Sequence, residues 1–317
     1  MKIYFKLFRW PNLLIILLLE YLLKTAVFEK LFAQSQILFP MSEIGFGIFA
    51  ISTVFVAIAG YIANDIEDVE IDKLNRPDRA ISAGIISISQ ARSLQWFFEI
   101  AALALGLSVA IYVGNISLVS IHLLLIILLR AYAKSLKCKG LIGNIAVSIA
   151  TASVPAWLWI YVLFAFNKFE PNSIFDFSKI NLIVIFYVGF AFIFTLIREI
   201  VKDLEDLKGD QACGCNTLAV KLPLQKTKNW VIVLSAFAIQ GILLFMWLLY
   251  THLSEGEFLV KGDTLFMANF ASIIVIVLIH IIPKTVTANS ALDFHKIGNT
   301  LKIVMLAGIL QMLFLLF

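Results

Sequence analysis

The stretch NDIEDVEIDKLNRPDR (64–79) follows directly on IGFGIFAISTVFVAIAGYIA (44–63), an apolar run without a single charge. A run of about 20 such residues crosses a hydrocarbon layer of roughly 30 Å as a helix. Composition extends that reading to the whole chain. Of 317 residues, 61% are hydrophobic and 15% charged, with a mean hydropathy of +0.95, a balance outside the range of soluble globular domains. Apolar segments near 12–33, 44–63, 93–113, 116–134, 141–165, 180–201, 229–250, 264–283 and 297–317 predict an all-α, multi-pass bundle of nine transmembrane helices. Residues 1–317 are read as a single transmembrane domain.

The basic residues orient this bundle. With the N-terminus inside, 20 of the 25 Lys and Arg fall on the cytoplasmic side, leaving Lys24, Lys30, Lys168, Lys179 and Lys261 elsewhere. That asymmetry supports nine spans in the cell's inner or plasma membrane. It makes the net charge of +4 a mark of topology, with no nucleic-acid partner implied. The segment MKIYFKLFRWPN (1–12) resembles the start of a signal peptide, but the apolar run behind it is long and lacks a small-x-small cleavage pattern, so a retained first helix is expected. Within that helix Glu20 and Lys24 stand four residues apart and are expected to neutralise each other. Cys138, Cys213 and Cys215 fall near cytoplasmic ends, where disulfides are not expected. CGC (213–215) without a nearby His is a poor zinc signal and reads as small loop residues.

The acidic stretch occurs twice. KDLEDLKGD (202–210) follows NLIVIFYVGFAFIFTLI (181–197) and matches NDIEDVEID (64–72) at Asp65/Asp203, Glu67/Glu205, Asp68/Asp206 and Asp72/Asp210, a constant offset of 138 residues. On a continuous helix Asn64, Asp65, Asp68 and Asp72 share one arc, as do Glu199, Asp203, Asp206 and Asp210, while Glu67 and Glu205 point away. Carboxylates in such a stripe repel one another, and a cation removes the cost. Oxygen-only donors without His or Cys select a hard ion, and a site bridging carboxylates to phosphates suits Mg²⁺. Lys73, Arg76, Arg79, Lys134, Lys137 and Lys202 are the nearest cations, and with the metal they would clamp a diphosphate.

These residues carry a family resemblance. The chain resembles the UbiA superfamily of intramembrane prenyltransferases: Asn64, Asp65, Asp68 and Asp72 match its first motif, and Asp203, Asp206 and Asp210 its second. YAKSLKCKGLIGN (132–144) resembles its Tyr/Lys/Gly-Asn segment, and RWPN (9–12) its N-terminal Arg-x-x-Asn. DVEIDKLNRPDRAISAG (68–84) and REIVKDLEDLKGD (198–210) look most like the digeranylgeranylglyceryl phosphate synthases. Ala80 stands where Pro often follows the last Arg, and CGC replaces a more usual small/Lys/Gly pattern.

The resemblance implies Mg²⁺-dependent transfer of a polyprenyl group, expected to be geranylgeranyl, from its diphosphate to a lipophilic acceptor, expected to be a prenylated glycerol phosphate. It implies metal ligation by both motifs and stabilisation of the leaving group by Lys134, Lys137, Arg76 and Arg79, with Lys73 and Lys202 as further diphosphate contacts. Arg9 and Asn12 would lie on the acceptor side. Tyr132, or membrane-level aromatics such as Trp157, Trp159 and Tyr161, would face an allylic cation, although for the latter three a lipid-facing belt is the expectation. An aromatic acceptor of the quinone type is the alternative. A cation or organic-anion transporter would also explain acidic stripes in a duplicated membrane fold, but its acids would lie at mid-membrane in broken helices.

Overall fold

The computed structural model describes residues 7–75, 77–254 and 261–316. Among the described residues every regular element is helical, and nine helices are long and apolar enough to cross a membrane: Trp10–Gln34, Glu43–Glu67, Ile88–Tyr112, Ile116–Leu136, Leu141–Phe169, Ser178–Glu205, Leu224–Thr251, Leu265–Thr287 and Ala291–Leu316. These are the nine expected spans, most of them extended beyond their apolar stretches. Polar caps set several starts. The Ser42 hydroxyl accepts from the Gly45 amide, and Ser87 with Gln90, and Ser290 with Asp293, form reciprocal capping boxes.

The second span packs most extensively on the third, and the sixth lies centrally against the fifth, seventh and ninth. Between them sits a core rich in aromatics, with Phe28, Phe49, Trp157, Tyr161, Tyr187 and Phe194 almost fully buried. Lipid tails are as apolar as these side chains, so close packing, more than escape from water, holds such a core together. Large exposed side chains such as Trp96, Phe97, Ile100, Leu244 and Trp247 would be a liability in water and suit a hydrocarbon surface.

Two expectations are corrected by this packing. Trp157, Trp159 and Tyr161 form no lipid-facing belt: all three are buried, with Trp157 and Tyr161 against Phe49 and Trp159 against Phe28. Nor do Glu20 and Lys24 pair. The first span passes through a π-helical stretch, Leu23–Glu29, and the Lys24 ammonium donates to Glu29 at 2.6 Å and to Glu43, at the start of the second span, at 2.7 Å. The wider turn breaks the i,i+4 register that the pairing required.

Candidate active site

The second and sixth spans end in the same way. Helix geometry stops at Glu67 and at Glu205, the next residues Asp68 (φ −90°, ψ 4°) and Asp206 (φ −90°, ψ 5°) leave it, and short helices Val69–Asn75 and Leu207–Ala212 resume. The expected continuous stripe is therefore broken, at equivalent positions 138 residues apart. Its spacing survives, because the Asp72 amide donates to the Asp68 carbonyl at 2.7 Å and the Asp210 amide to the Asp206 carbonyl at 3.1 Å.

Both motifs open on one cavity. Asn64, Asp68, Asp72, Asp203, Asp206 and Asp210 line it, together with Glu199, Tyr132, Arg79, Lys137, Lys202, Asn144 and Thr217. Six carboxylates thus face three basic side chains, an excess of negative charge before any anion enters. Among the described residues no three carboxylates close into a compact metal cluster. An ion such as Mg²⁺ keeps several waters and takes one or two carboxylates plus phosphate oxygens, so it needs no such cluster. The all-oxygen donor set, Asn64 included, fits that ion.

The basic partners are positioned by local structure. At Tyr132–Leu136 the fourth span becomes π-helical, which turns Lys137 inward to bond Asp68. The chain there passes directly over Gly143: a Cβ at that position would lie 2.5 Å from the Leu136 carbonyl oxygen and 2.7 Å from Lys137 Cα. Arg79 sits on a loop anchored by buried Ala80, Ile81 and Ile86, and its Nη1 donates to Asp65 at 2.9 Å and to Asp72 at 2.7 Å. Arg9 adopts a left-handed backbone (φ 52°, ψ 49°) just before the first helix, and its guanidinium reaches Asp65 at 2.5 Å while lying over the Tyr61 ring. Neutral donors serve the second motif: the Asn144 amide donates to Asp203 at 3.0 Å and the Thr217 hydroxyl to Asp210 at 3.2 Å.

Burial and neighbouring negative charge tune these acids. Burial pushes the Asp210 carboxyl up to about 6, with Asp206 adding to the rise and the Thr217 hydrogen bond opposing it. Burial raises Asp72 as well, against the pull of Arg79.

Not every anticipated residue reaches the cavity. Asp65 lies behind it, holding Arg9 and Arg79. Lys134 is exposed and Lys73 pairs with Glu70 at 2.7 Å, so neither lines the cavity. Asn12 contacts Tyr61, and Arg76 lies outside the described residues. Conversely, Asn144, Gly143 and Thr217 escaped the sequence reading as functional positions. The first two lay within a segment already singled out for its likeness, whereas Thr217 carried no signal.

The cysteine expectation is overturned. Cys138 and Cys215 form a disulfide across 77 residues, with Cα atoms 4.6 Å apart, and Cys213 is free and exposed. Folding lays the segment after Lys137 beside the one before Thr217, as the 3.1 Å bond from the Asn216 amide to the Cys138 carbonyl shows. Sequence distance hid that neighbourhood.

The chain is similar to several known proteins. A digeranylgeranylglyceryl phosphate synthase from Sulfolobus acidocaldarius is 38% identical over 190 residues, 60% of either chain. One from Sulfurisphaera tokodaii is 40% identical over 172 residues, 54% of this chain and 55% of its own. The matched region thus spans less than two thirds of these relatives. Among solved structures, one of digeranylgeranylglyceryl phosphate synthase in membranes superposes with a TM-score of 0.64 at 23% identity, covering 99% of this chain and 97% of the other. A UbiA homolog from Archaeoglobus fulgidus bound to DMAPP and Mg²⁺ gives 0.57 at 16% identity, covering 97% and 99%. At those identities the likeness establishes the nine-helix fold. Residues 23–279 match the UbiA prenyltransferase family as a whole, and with both acidic motifs inside that match, the chain belongs to the UbiA prenyltransferase family.

Proposed function

We propose that the chain, acting as one unit over residues 1–317, transfers a geranylgeranyl group from its diphosphate to the free hydroxyl of a prenylated glycerol phosphate. The observation that carries the reading is the convergence of two acidic motifs, Lys137 and Arg79 on one cavity. The acceptor rests on the likeness to relatives named as digeranylgeranylglyceryl phosphate synthases. In the reaction the allylic C–O bond to the diphosphate breaks, an ether C–O bond forms to the acceptor, the bonding electrons leave with the diphosphate, and the hydroxyl proton passes to that diphosphate or to water.

Asn64, Asp68, Asp72, Asp203, Asp206 and Asp210 would hold Mg²⁺, which when bound neutralises and orients the departing diphosphate. Lys137 and Arg79 then exchange carboxylate partners for phosphate oxygens, a swap that keeps each cation paired throughout. Lys202 adds a third cation at the cavity wall. Asp65 keeps Arg79 aimed at the site. Tyr132 presents a ring face to the allylic carbon as positive charge develops there. The cavity opens at the end of the bundle where the basic loops gather, which supports a site on the cytoplasmic side of the membrane. Acids at helix ends beside basic loops also favour a transferase over a transporter, whose acids would sit at mid-membrane.

The test is the mass of the product that purified protein makes from geranylgeranyl diphosphate, Mg²⁺ and a mixture of geranylgeranylglyceryl phosphate, 4-hydroxybenzoate and dihydroxynaphthoate. The expected product is the diether lipid. A prenylated aromatic ring with the glycerol lipid untouched would overturn the acceptor and leave the transferase standing; no transfer to any acceptor would overturn both.

A further inference from the structure

The carboxylates and cations of the cavity have roles in diphosphate binding, and the cysteines have none. Two of them, Cys213 and Cys215, stand where the sequence departs from its family's usual pattern, at CGC (213–215). Their placement is specific. Cys138 follows Lys137 directly, Cys215 lies two residues before Thr217, and both cysteines line the cavity. Lys137 bonds Asp68 of the first motif and Thr217 bonds Asp210 of the second. The Cys215 amide also donates to the Asp210 carbonyl at 2.9 Å, so the second cysteine is tied to the short helix that carries its motif.

The disulfide therefore joins two loops that each hold a carboxylate of a different motif. Beside it runs one backbone hydrogen bond, from the Asn216 amide to the Cys138 carbonyl at 3.1 Å. Gly140 sits against the same seam: its φ is +64°, and a Cβ there would lie 3.5 Å from the Asn216 carbonyl oxygen. The crossing is thus close, and on the Cys138 side it uses a left-handed backbone that favours glycine. The third thiol, Cys213, is exposed and outside the cavity lining.

We propose that the Cys138–Cys215 disulfide is a positioning element of the diphosphate site, fixing Lys137 and Thr217 relative to each other so that the two acidic motifs present one site. This rests on the transferase reading above. In the reduced protein the two loops retain their own contacts with Asp68 and Asp210 but lose the covalent tie between them. The mutual placement of the motifs then loosens, and affinity for the prenyl diphosphate falls. Because the disulfide faces the end of the bundle assigned to the cytoplasm, where thiol pools oppose such bonds, the redox state of the compartment would set the affinity of the site.

Two measurements test this. The first counts thiols in the oxidised, denatured protein by alkylation and peptide mass: one alkylated cysteine, Cys213, and one cross-linked pair of peptides containing Cys138 and Cys215 are expected. Three alkylated cysteines would overturn the proposal. The second follows pyrophosphate release with geranylgeranyl diphosphate and geranylgeranylglyceryl phosphate, before and after reduction with a water-soluble phosphine. In that reduction the phosphine takes oxygen from water, and its two electrons with two protons appear as the Cys138 and Cys215 thiols.

The KM for the prenyl diphosphate is expected to rise about tenfold, the size of one weakened charge-assisted contact, with a much smaller change in kcat. Cys213→Ser should behave as the wild type in both states, and Cys138→Ser should resemble the reduced wild type. Should Cys138→Ser fail to fold, chemical reduction of the assembled wild type decides alone. A fall in melting temperature with KM unmoved would mean a purely structural bond and would overturn the proposal. Redox-independent turnover overturns only this inference, whereas no pyrophosphate release from oxidised wild type takes the transferase reading down with it.

Discussion

The two acidic motifs share a sequence pattern and a helix break, yet they are compensated differently. Around the first, three cations converge: Arg9 and Arg79 on Asp65, Arg79 on Asp72, and Lys137 on Asp68. Around Asp203 and Asp210 of the second stand neutral donors, Asn144 and Thr217, and Asp210 is pushed up to about 6. Duplication has thus produced two roles. On the function proposed above, the first motif would hold the cations that meet phosphate, and the second would offer the metal carboxylates held mainly by neutral donors.

If each motif is indispensable, the largest effects come from single carboxylates. Asp68→Asn and Asp206→Asn are each expected to lower kcat/KM by about 10³-fold or more while leaving a monodisperse, folded membrane protein. Steady-state pyrophosphate release, paired with size-exclusion profiles, checks this, and near wild-type turnover in either variant that persists in EDTA would break the comparison. Next come the stored cations. Lys137→Met should cost about 10²-fold in kcat/KM, whereas Lys134→Met, three residues away but exposed, should stay within about twofold of wild type. Equal losses in the two variants would mean that the cavity does not decide which lysine acts.

Smaller effects probe the positioning of each motif. Gly143→Ala forces a Cβ into the Leu136 carbonyl and Lys137 Cα, and should lower kcat/KM about tenfold by shifting Lys137 away from Asp68; unchanged kinetics would show that the loop yields freely. The smallest effect is a pH dependence. Asp210 has a raised value, so the folded protein holds this proton more tightly than the unfolded chain does. Ionising the carboxyl costs stability as pH rises from about 4 to about 6, and below about pH 6 a divalent cation must displace the proton. The Mg²⁺ concentration for half-maximal activity should therefore be about fourfold higher at pH 5.5 than at pH 7.5. Thr217→Val removes the hydrogen bond that opposes the rise, so the same profile should move to higher pH. A flat Mg²⁺ requirement across that range in both proteins would contradict the electrostatic contrast.

Much of this was legible before the fold. Hydropathy located the nine spans found among the described residues, because lipid imposes length and polarity rules that a sequence must display openly. The 138-residue repeat located both motifs because 11 of the 21 Asp and Glu cluster in 64–78 and 199–210. What stayed hidden was contact across distance. Nothing near Cys138 announces Cys215, nothing near Asp210 announces the hydroxyl of Thr217 as a partner, and Lys134 and Lys137 look alike until the π-turn at Tyr132–Leu136 aims one inward and leaves the other outside. Lys24 shows the limit in the other direction: helical periodicity pairs it with Glu20, and a single wide turn hands it to Glu29 and Glu43.

The central claim is that both motifs hold one metal-bridged diphosphate, and a double-mutant cycle on ligand binding tests it most directly. The measurement is the Kd of a non-hydrolysable geranylgeranyl diphosphate analogue with Mg²⁺ present, for wild type, Asp68→Asn, Asp206→Asn and the double variant. A shared ligand predicts strong coupling: either single substitution removes most of the Mg²⁺-dependent affinity, and the double variant loses little more, leaving a coupling energy of about 1–3 kcal/mol. Losses that add within about 0.5 kcal/mol, or full affinity retained when one motif is neutralised, would mean that the two acidic motifs do not share a site.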